Sequence, residues 1–78
     1  MLNECNAFGT ILRNHRTKVG LSQEKLALLS NLDRSFVSLL ERGMRQPTLK
    51  TMLLLVDALD VSFESFAADI ERALHENS

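Results

Sequence analysis

Residues 22–43 read SQEKLALLSNLDRSFVSLLERG, and this stretch predicts two short helices joined by a sharp turn. Ser22 and Asp33 are residue types that favour helix N-caps, which places the helices at about 23–30 and about 34–42. Only about three residues separate the two helices, so the chain cannot turn back into an antiparallel hairpin. This short connection forces the helices to cross steeply, as they do in a helix-turn-helix.

The rest of the chain also predicts helices. Helix 1 is expected at about 5–18, helix 4 at about 49–59 and helix 5 at about 62–76, with Thr48 and Ser62 as caps. Apolar residues in helix 4 recur at helical spacings, at Leu49, Met52, Leu53, Leu55, Val56 and Leu59. Because no segment alternates polar and apolar residues as a strand does, the predicted fold class is all-α, with five helices packed in a compact domain.

Length and composition limit the classes of protein. The 78 residues are 45% hydrophobic and 24% charged, which fits one globular domain over 1–78 rather than a disordered segment. The longest apolar run, residues 52–56, is too short to span a membrane. A lone Cys5 cannot form an internal disulfide, which fits a cytoplasmic protein. His15 and His75 are far apart and lack Cys or His neighbours, so neither a metal site nor a cofactor is predicted.

Charge is unevenly distributed, although the net charge of the chain is only −1. Residues 13–50 contain eight Lys and Arg residues against three acidic residues, a net charge of +5. Residues 51–78 contain one Arg against six acidic residues, a net charge of −5. Because a partner responds to local rather than total charge, the basic part is a candidate surface for nucleic acid. Ordinary solvent-exposed surface is the alternative.

One face of helix 3 has the residue types that read DNA bases. At about 100° per residue, one arc of helix 3 holds four polar residues, Arg34, Ser35, Ser38 and Arg42. Leu39 lies at the margin of this arc. Arg pairs bidentately with guanine, Ser hydrogen-bonds several base edges, and an apolar side chain contacts the thymine methyl. Any surface helix has a polar face, but the sharp turn before this one and the basic residues around it favour recognition.

Short motifs follow one another over residues 8–66. They are 21–27 (LSQEKLA), 33–35 (DRS), 37–38 (VS), 41–43 (ERG), 47–49 (PTL) and 58–62 (ALDVS). In these motifs the chain resembles the Cro and lambda-repressor-like (Xre) helix-turn-helix regulators. It departs from them at Asn31, where the family usually has Gly, but Asn tolerates the left-handed conformation of such a turn. Residues 30–38, in so short a chain, resemble the controller proteins of restriction-modification systems.

The resemblance implies roles for individual residues. Those expected to read bases are Arg34, Ser35, Phe36, Ser38 and Leu39. Those expected to bind DNA phosphates are Gln23, Arg42, Arg45, Gln46, Thr48 and Lys50. A structural ion pair between helices 1 and 3 is expected from Arg16 and Glu41, with DNA contact or catalysis as the alternative roles. For Phe36 the alternative is an exposed edge of the core, and for each phosphate residue it is plain solvent exposure.

Helix 5 carries an apolar stripe longer than so small a core would cover. Phe66 is expected in the core. The rest of the stripe and the loop before it are expected to form a twofold dimer interface, at Val61, Phe63, Ala67, Ile70 and Leu74. The alternative is a helix 5 buried wholly within a monomer.

These features together predict a sequence-specific double-stranded DNA-binding transcriptional regulator, acting as a homodimer on a pseudo-palindromic operator. RNA polymerase is a further candidate partner, and a restriction-modification controller is the particular form that the resemblance favours. The alternative is an antitoxin-type interaction module that binds a toxin partner and its own promoter. Neither an enzyme activity nor a small-molecule ligand is expected, because the sequence has no Gly-rich phosphate loop, zinc-ligand spacing or supported nucleophile–base pair.

Overall fold

The computed structural model describes residues 3–76, which form five helices and no strand. The helices are α1 (Glu4–Lys18), α2 (Gln23–Ser30), α3 (Arg34–Glu41), α4 (Leu49–Leu59) and α5 (Phe63–Glu76). The predicted all-α class and the order of the helices are confirmed, and α3 ends one residue earlier than expected. Residues 1–2 and 77–78 of the predicted domain lie outside the described residues.

The predicted caps begin the helices as expected. In each case a side-chain oxygen accepts a hydrogen bond of 2.9–3.1 Å from a backbone N–H in the first turn, at Ser22, Asp33, Thr48 and Ser62. These N–H groups have no partner within the helix, so each cap satisfies a donor that would otherwise need water. Local sequence therefore sets where these four helices begin.

Two non-glycine residues end helices in the left-handed conformation. Asn31 ends α2 with φ 58°, as the sequence predicts for the turn of the helix-turn-helix. Asp60 ends α4 with φ 59°, which the sequence analysis did not predict. Asn and Asp enter this region more readily than most residues because their short polar side chains can hydrogen-bond locally.

The core lies where all five helices meet. Its fully buried residues include Leu12, Leu26, Val37, Leu40, Leu55 and Phe66. The ring of Phe66 packs edge-on against Phe8, with 5.7 Å between centroids, so α5 is anchored to α1. Two of the apolar residues of helix 4, Leu49 and Leu53, are exposed. They lie on a flank of α4 that no other described helix covers.

Gly9 allows α1 to approach the end of α3 closely. A Cβ atom at this position would lie 2.5 Å from the carbonyl oxygen of Leu40 and 2.6 Å from that of Glu41. Backbone atoms cannot yield as a flexible side chain can, so any larger residue would push the two helices apart. The helix that carries the residues predicted to read bases is thus held directly against α1.

None of the helices within residues 3–76 combines the length and the apolar character needed to cross a lipid bilayer.

Candidate nucleic-acid interface

The exposed face of α3 carries the residues predicted to read bases. Arg34 and Ser35 are exposed in its first turn, and Ser38 and Leu39 are half-buried one turn later. The opposite face is anchored in the core by Val37 and Leu40. One rigid surface therefore presents a guanidinium, two hydroxyls and an aliphatic side chain, a set that can contact base edges in the major groove.

Phe36 lies at the side of this face rather than at its centre. Its ring is half-buried and packs against the hydrophobic core. Of the two roles that the sequence left open for Phe36, this contact supports the exposed edge of the core.

The predicted phosphate-binding residues after α3 line one loop and the start of the next helix. All of them are exposed, namely Arg42, Arg45, Gln46, Thr48 and Lys50. Thr48 is also the cap of α4, since its Oγ1 accepts from the backbone N–H of Thr51 at 3.1 Å. The three cations in this set follow α3 along the chain, where the sequence predicts contacts to the DNA backbone.

Gln23 is placed differently from the other phosphate candidates. It is the first residue of α2, and its side-chain Nε2 donates a hydrogen bond of 3.1 Å to Oε1 of Glu41. This contact could not be predicted from the sequence, because the two residues lie on different helices 18 positions apart. The bond uses one of the two hydrogens of the Gln23 amide nitrogen, so the second remains available to a ligand.

Arg16 and Glu41 form the ion pair that the resemblance implied, between α1 and the last residue of α3. Arg16 also donates a hydrogen bond of 2.8 Å to the carbonyl oxygen of Leu21, in the turn before α2. The hydrogen bond to Glu41 and the attraction of its carboxylate raise the pKa of Arg16, although burial acts in the opposite direction. One buried pair thus connects the helix-turn-helix to its supporting helix.

Helix α5 is held to α1 by a polar contact that the sequence analysis missed. Nε2 of His15 lies 2.8 Å from Oδ2 of Asp69, and the His15 ring packs against Phe66 with 5.2 Å between centroids. Arg72 reaches the second oxygen of Asp69 at 3.2 Å. No signal in the sequence links His15 to Asp69, because the two residues are 54 positions apart.

The predicted dimer residues do not all lie on a free surface. Val61 and Ile70 are half-buried and pack against the core of their own chain. Phe63 is 37% exposed, while Ala67 and Leu74 are half-buried. The apolar surface that α5 and the loop before it leave free for a partner is therefore smaller than predicted from the sequence.

Nothing in the geometry of residues 3–76 groups three or more His, Cys, Asp or Glu side chains in a way that could hold a metal ion.

Comparison with known proteins places the chain in a family. The helix-turn-helix family matches residues 12–66. The control protein C.SmaI of Serratia marcescens is 41% identical over 51 residues, which are 65% of this chain and 61% of that protein. The chain therefore spans less than two thirds of the length of this curated relative.

Two solved structures are also similar. The restriction-modification controller protein C.AhdI of Aeromonas hydrophila has a TM-score of 0.77 and 48% identity, covering 80% of this chain and 94% of its own. The controller protein C.Esp1396I, as a tetramer in complex with its natural 35-base-pair operator, has a TM-score of 0.86 and 30% identity. That match covers 94% of this chain and 96% of the other.

The chain belongs to the helix-turn-helix family, in agreement with its resemblance to the Cro and lambda-repressor-like (Xre) regulators. C.AhdI and C.Esp1396I, which are both similar to this chain, are restriction-modification controller proteins.

Proposed function

We propose that this protein is a sequence-specific DNA-binding transcriptional regulator, and in particular the controller of a restriction-modification system. The observation that carries the proposal is the exposed face of α3, where Arg34, Ser35 and Ser38 lie on a helix anchored in the core and preceded by a three-residue turn. The proposal is supported by C.Esp1396I, a controller protein of similar structure that was solved in complex with its natural operator.

In the proposed complex, α3 lies in the major groove and the loop after it follows the DNA backbone. Arg34, Ser35 and Ser38 contact base edges, with Leu39 beside them. The phosphate contacts come from Gln23, Arg42, Arg45, Gln46, Thr48 and Lys50. Charge supports this orientation, because the net charge is +5 over residues 13–50 and −5 over residues 51–78. The acidic part would face away from the phosphates.

A homodimer on a pseudo-palindromic operator is part of the proposal. Two copies joined through α5 would place their recognition helices about 34 Å apart, one turn of DNA. Phe63, Ala67 and Leu74 are the members of the predicted interface that do not pack into the core cluster. Val61 and Ile70 would support this surface from beneath rather than form most of it.

The regulator would act in the cytoplasm, without an enzyme activity of its own, and RNA polymerase is a further proposed partner. Promoter DNA and polymerase share that compartment in a bacterial cell, where restriction-modification controllers act. Whether it raises or lowers transcription depends on where the operator lies in the promoter.

Selection from a random duplex library at moderate salt tests the proposal. The expected result is an inverted repeat with half-sites about one turn apart, bound more weakly as salt rises because phosphate contacts release counterions. A library without any enriched sequence would contradict it, and the search would move to protein partners such as a toxin.

A further inference from the structure

We propose that Glu41 is a positioning residue for DNA binding, whose buried carboxylate orients the side-chain amide of Gln23 so that an N–H points to a DNA phosphate. This inference rests on the proposed function and deepens it. Glu41 does not touch DNA in this proposal. It acts through Gln23, and its ion pair with Arg16 makes that role possible.

The geometry determines which end of the Gln23 amide faces Glu41. Oε1 of Glu41 accepts one hydrogen bond from Nε2 of Gln23 at 3.1 Å and another from Arg16 at 2.9 Å. An ionised carboxylate only accepts hydrogen bonds, so the nitrogen of the amide, and not its oxygen, must face it. The second hydrogen on that nitrogen is then held in one direction, away from Glu41.

Electrostatics explain why a carboxylate can occupy this place. Glu41 is the last residue of α3, where the helix dipole disfavours an anion, and its side chain is only 3% exposed. Unpaired, it would also repel the phosphate that Gln23 is proposed to bind. The guanidinium of Arg16 compensates the charge, so Glu41 can accept from Gln23 without presenting a net negative charge to DNA.

An ion pair that only joined α1 to α3 would not need a third partner. The bond to Gln23 adds α2, so one carboxylate links the residue that binds a phosphate to the helix that reads bases. Phosphate contacts set the register of a protein on the duplex while base contacts set its specificity. Through this link, the two kinds of contact keep a constant spacing.

A double-mutant cycle tests the role of Glu41 on the duplex recovered by selection. The variants are Gln23→Ala, Glu41→Gln and the two combined, each checked for folding by circular dichroism at the binding temperature. Glutamine at position 41 can donate as well as accept, so it no longer determines the orientation of the Gln23 amide. We expect each single variant to bind about tenfold more weakly, the size of one hydrogen bond to a charged group.

The combined variant separates a positioning role from a structural one. If Glu41 acts through Gln23, the double variant binds no more weakly than Gln23→Ala alone. If Glu41→Gln lowers the affinity by the same factor in both backgrounds, its effect does not pass through Gln23 and the proposal is wrong.

A second measurement uses the unmodified protein and does not depend on a variant that folds. The side-chain NH₂ of Gln23 is compared by nuclear magnetic resonance with that of Gln46, the only other glutamine in the chain. We expect one Gln23 proton to be shifted downfield and the group to have a higher order parameter than exposed Gln46. Equal mobility of the two amides would overturn the proposal.

The two proposals fail in different ways. If no duplex is enriched, both the proposed function and this positioning role are overturned. If a duplex is enriched but the cycle shows no coupling between Gln23 and Glu41, only the positioning role is overturned.

Discussion

The carboxylate of Glu41 accepts two hydrogen bonds from the guanidinium of Arg16, from Nε at 2.5 Å and from the terminal nitrogen NH2 at 2.9 Å. The two side chains are only 3% and 12% exposed, so the pair is largely removed from water. Such a buried bidentate pair has a defined geometry. Removing either partner is strongly destabilising, because the other charge is left buried without compensation. In the folded protein, the pair therefore fixes the C-terminal end of α3 against α1.

Replacing Glu41 with Ala is expected to lower the free energy of unfolding by about 3–5 kcal/mol, because Arg16 is left buried without its counter-charge. The matched control is Arg72→Ala, which removes a mostly exposed partner of Asp69 and is expected to cost about 1 kcal/mol or less. Urea unfolding followed by circular dichroism measures both. Equal losses of unfolding free energy in the two variants would show that burial does not determine how much the Arg16–Glu41 pair contributes to stability.

The close approach of α1 to α3 at Gly9 predicts a change in stability opposite to the change that helix propensity predicts. Alanine is favoured over glycine in an exposed helix by about 1 kcal/mol. Gly9→Ala is nevertheless expected to destabilise the protein by about 1–3 kcal/mol, because the new Cβ would collide with the backbone carbonyls at the end of α3. Thr10→Ala, at the exposed next position of α1, is the control and should change thermal stability little. A stabilised Gly9→Ala protein would contradict the packing.

Asn31 is expected to be a tolerated substitute for the glycine that the family usually has in this turn. Its φ of 58° lies in the left-handed region, where glycine has no Cβ penalty. Asn31→Gly should therefore leave the melting temperature unchanged or raise it slightly. Asn31→Ala should lower stability by about 1 kcal/mol, since alanine has no polar side chain to offset the strain. Equal stability of the two variants would argue against a strained turn.

The two proposed kinds of DNA contact should respond differently to mutation. Arg34→Ala should cost about 1–3 kcal/mol on the selected duplex and relax the preference at one base position. Lys50→Ala should weaken binding to all duplexes alike and lower the salt slope by about 1. Binding to the selected duplex and to a scrambled one, each over a range of salt, separates the effects. The same pattern for both variants would refute the base-reading assignment.

The oligomeric state tests the proposed interface on α5. Phe63→Asp is expected to convert a dimer into a monomer, because a carboxylate would be buried against the partner copy. Phe63 is a sharper probe than Ile70, which packs against the core of its own chain. Leu28→Asp is the control, since Leu28 is 71% exposed on α2. Light scattering without DNA gives the masses. An unchanged mass for Phe63→Asp would place the interface elsewhere.

The sequence alone determined the local features of the protein. The caps at Ser22, Asp33, Thr48 and Ser62, the turn at Asn31 and the order of the five helices all follow from residues within about four positions of one another. The set of residues on the exposed side of α3 also followed, because helical periodicity decides which residues share a side. The pairing of Arg16 with Glu41 came from the family resemblance and not from spacing.

Only the tertiary structure decided which helix covers which stripe. Leu49 and Leu53 belong to the apolar residues that recur at helical spacing in α4, yet both are exposed. Val61 and Ile70, predicted to lie at a dimer interface, instead pack against the core of their own chain. Contacts across long separations were equally hidden, such as His15 with Asp69 and Gln23 with Glu41. The physical reason is that a sequence pattern specifies the face of a helix, while the partner of that face depends on how all five helices pack together.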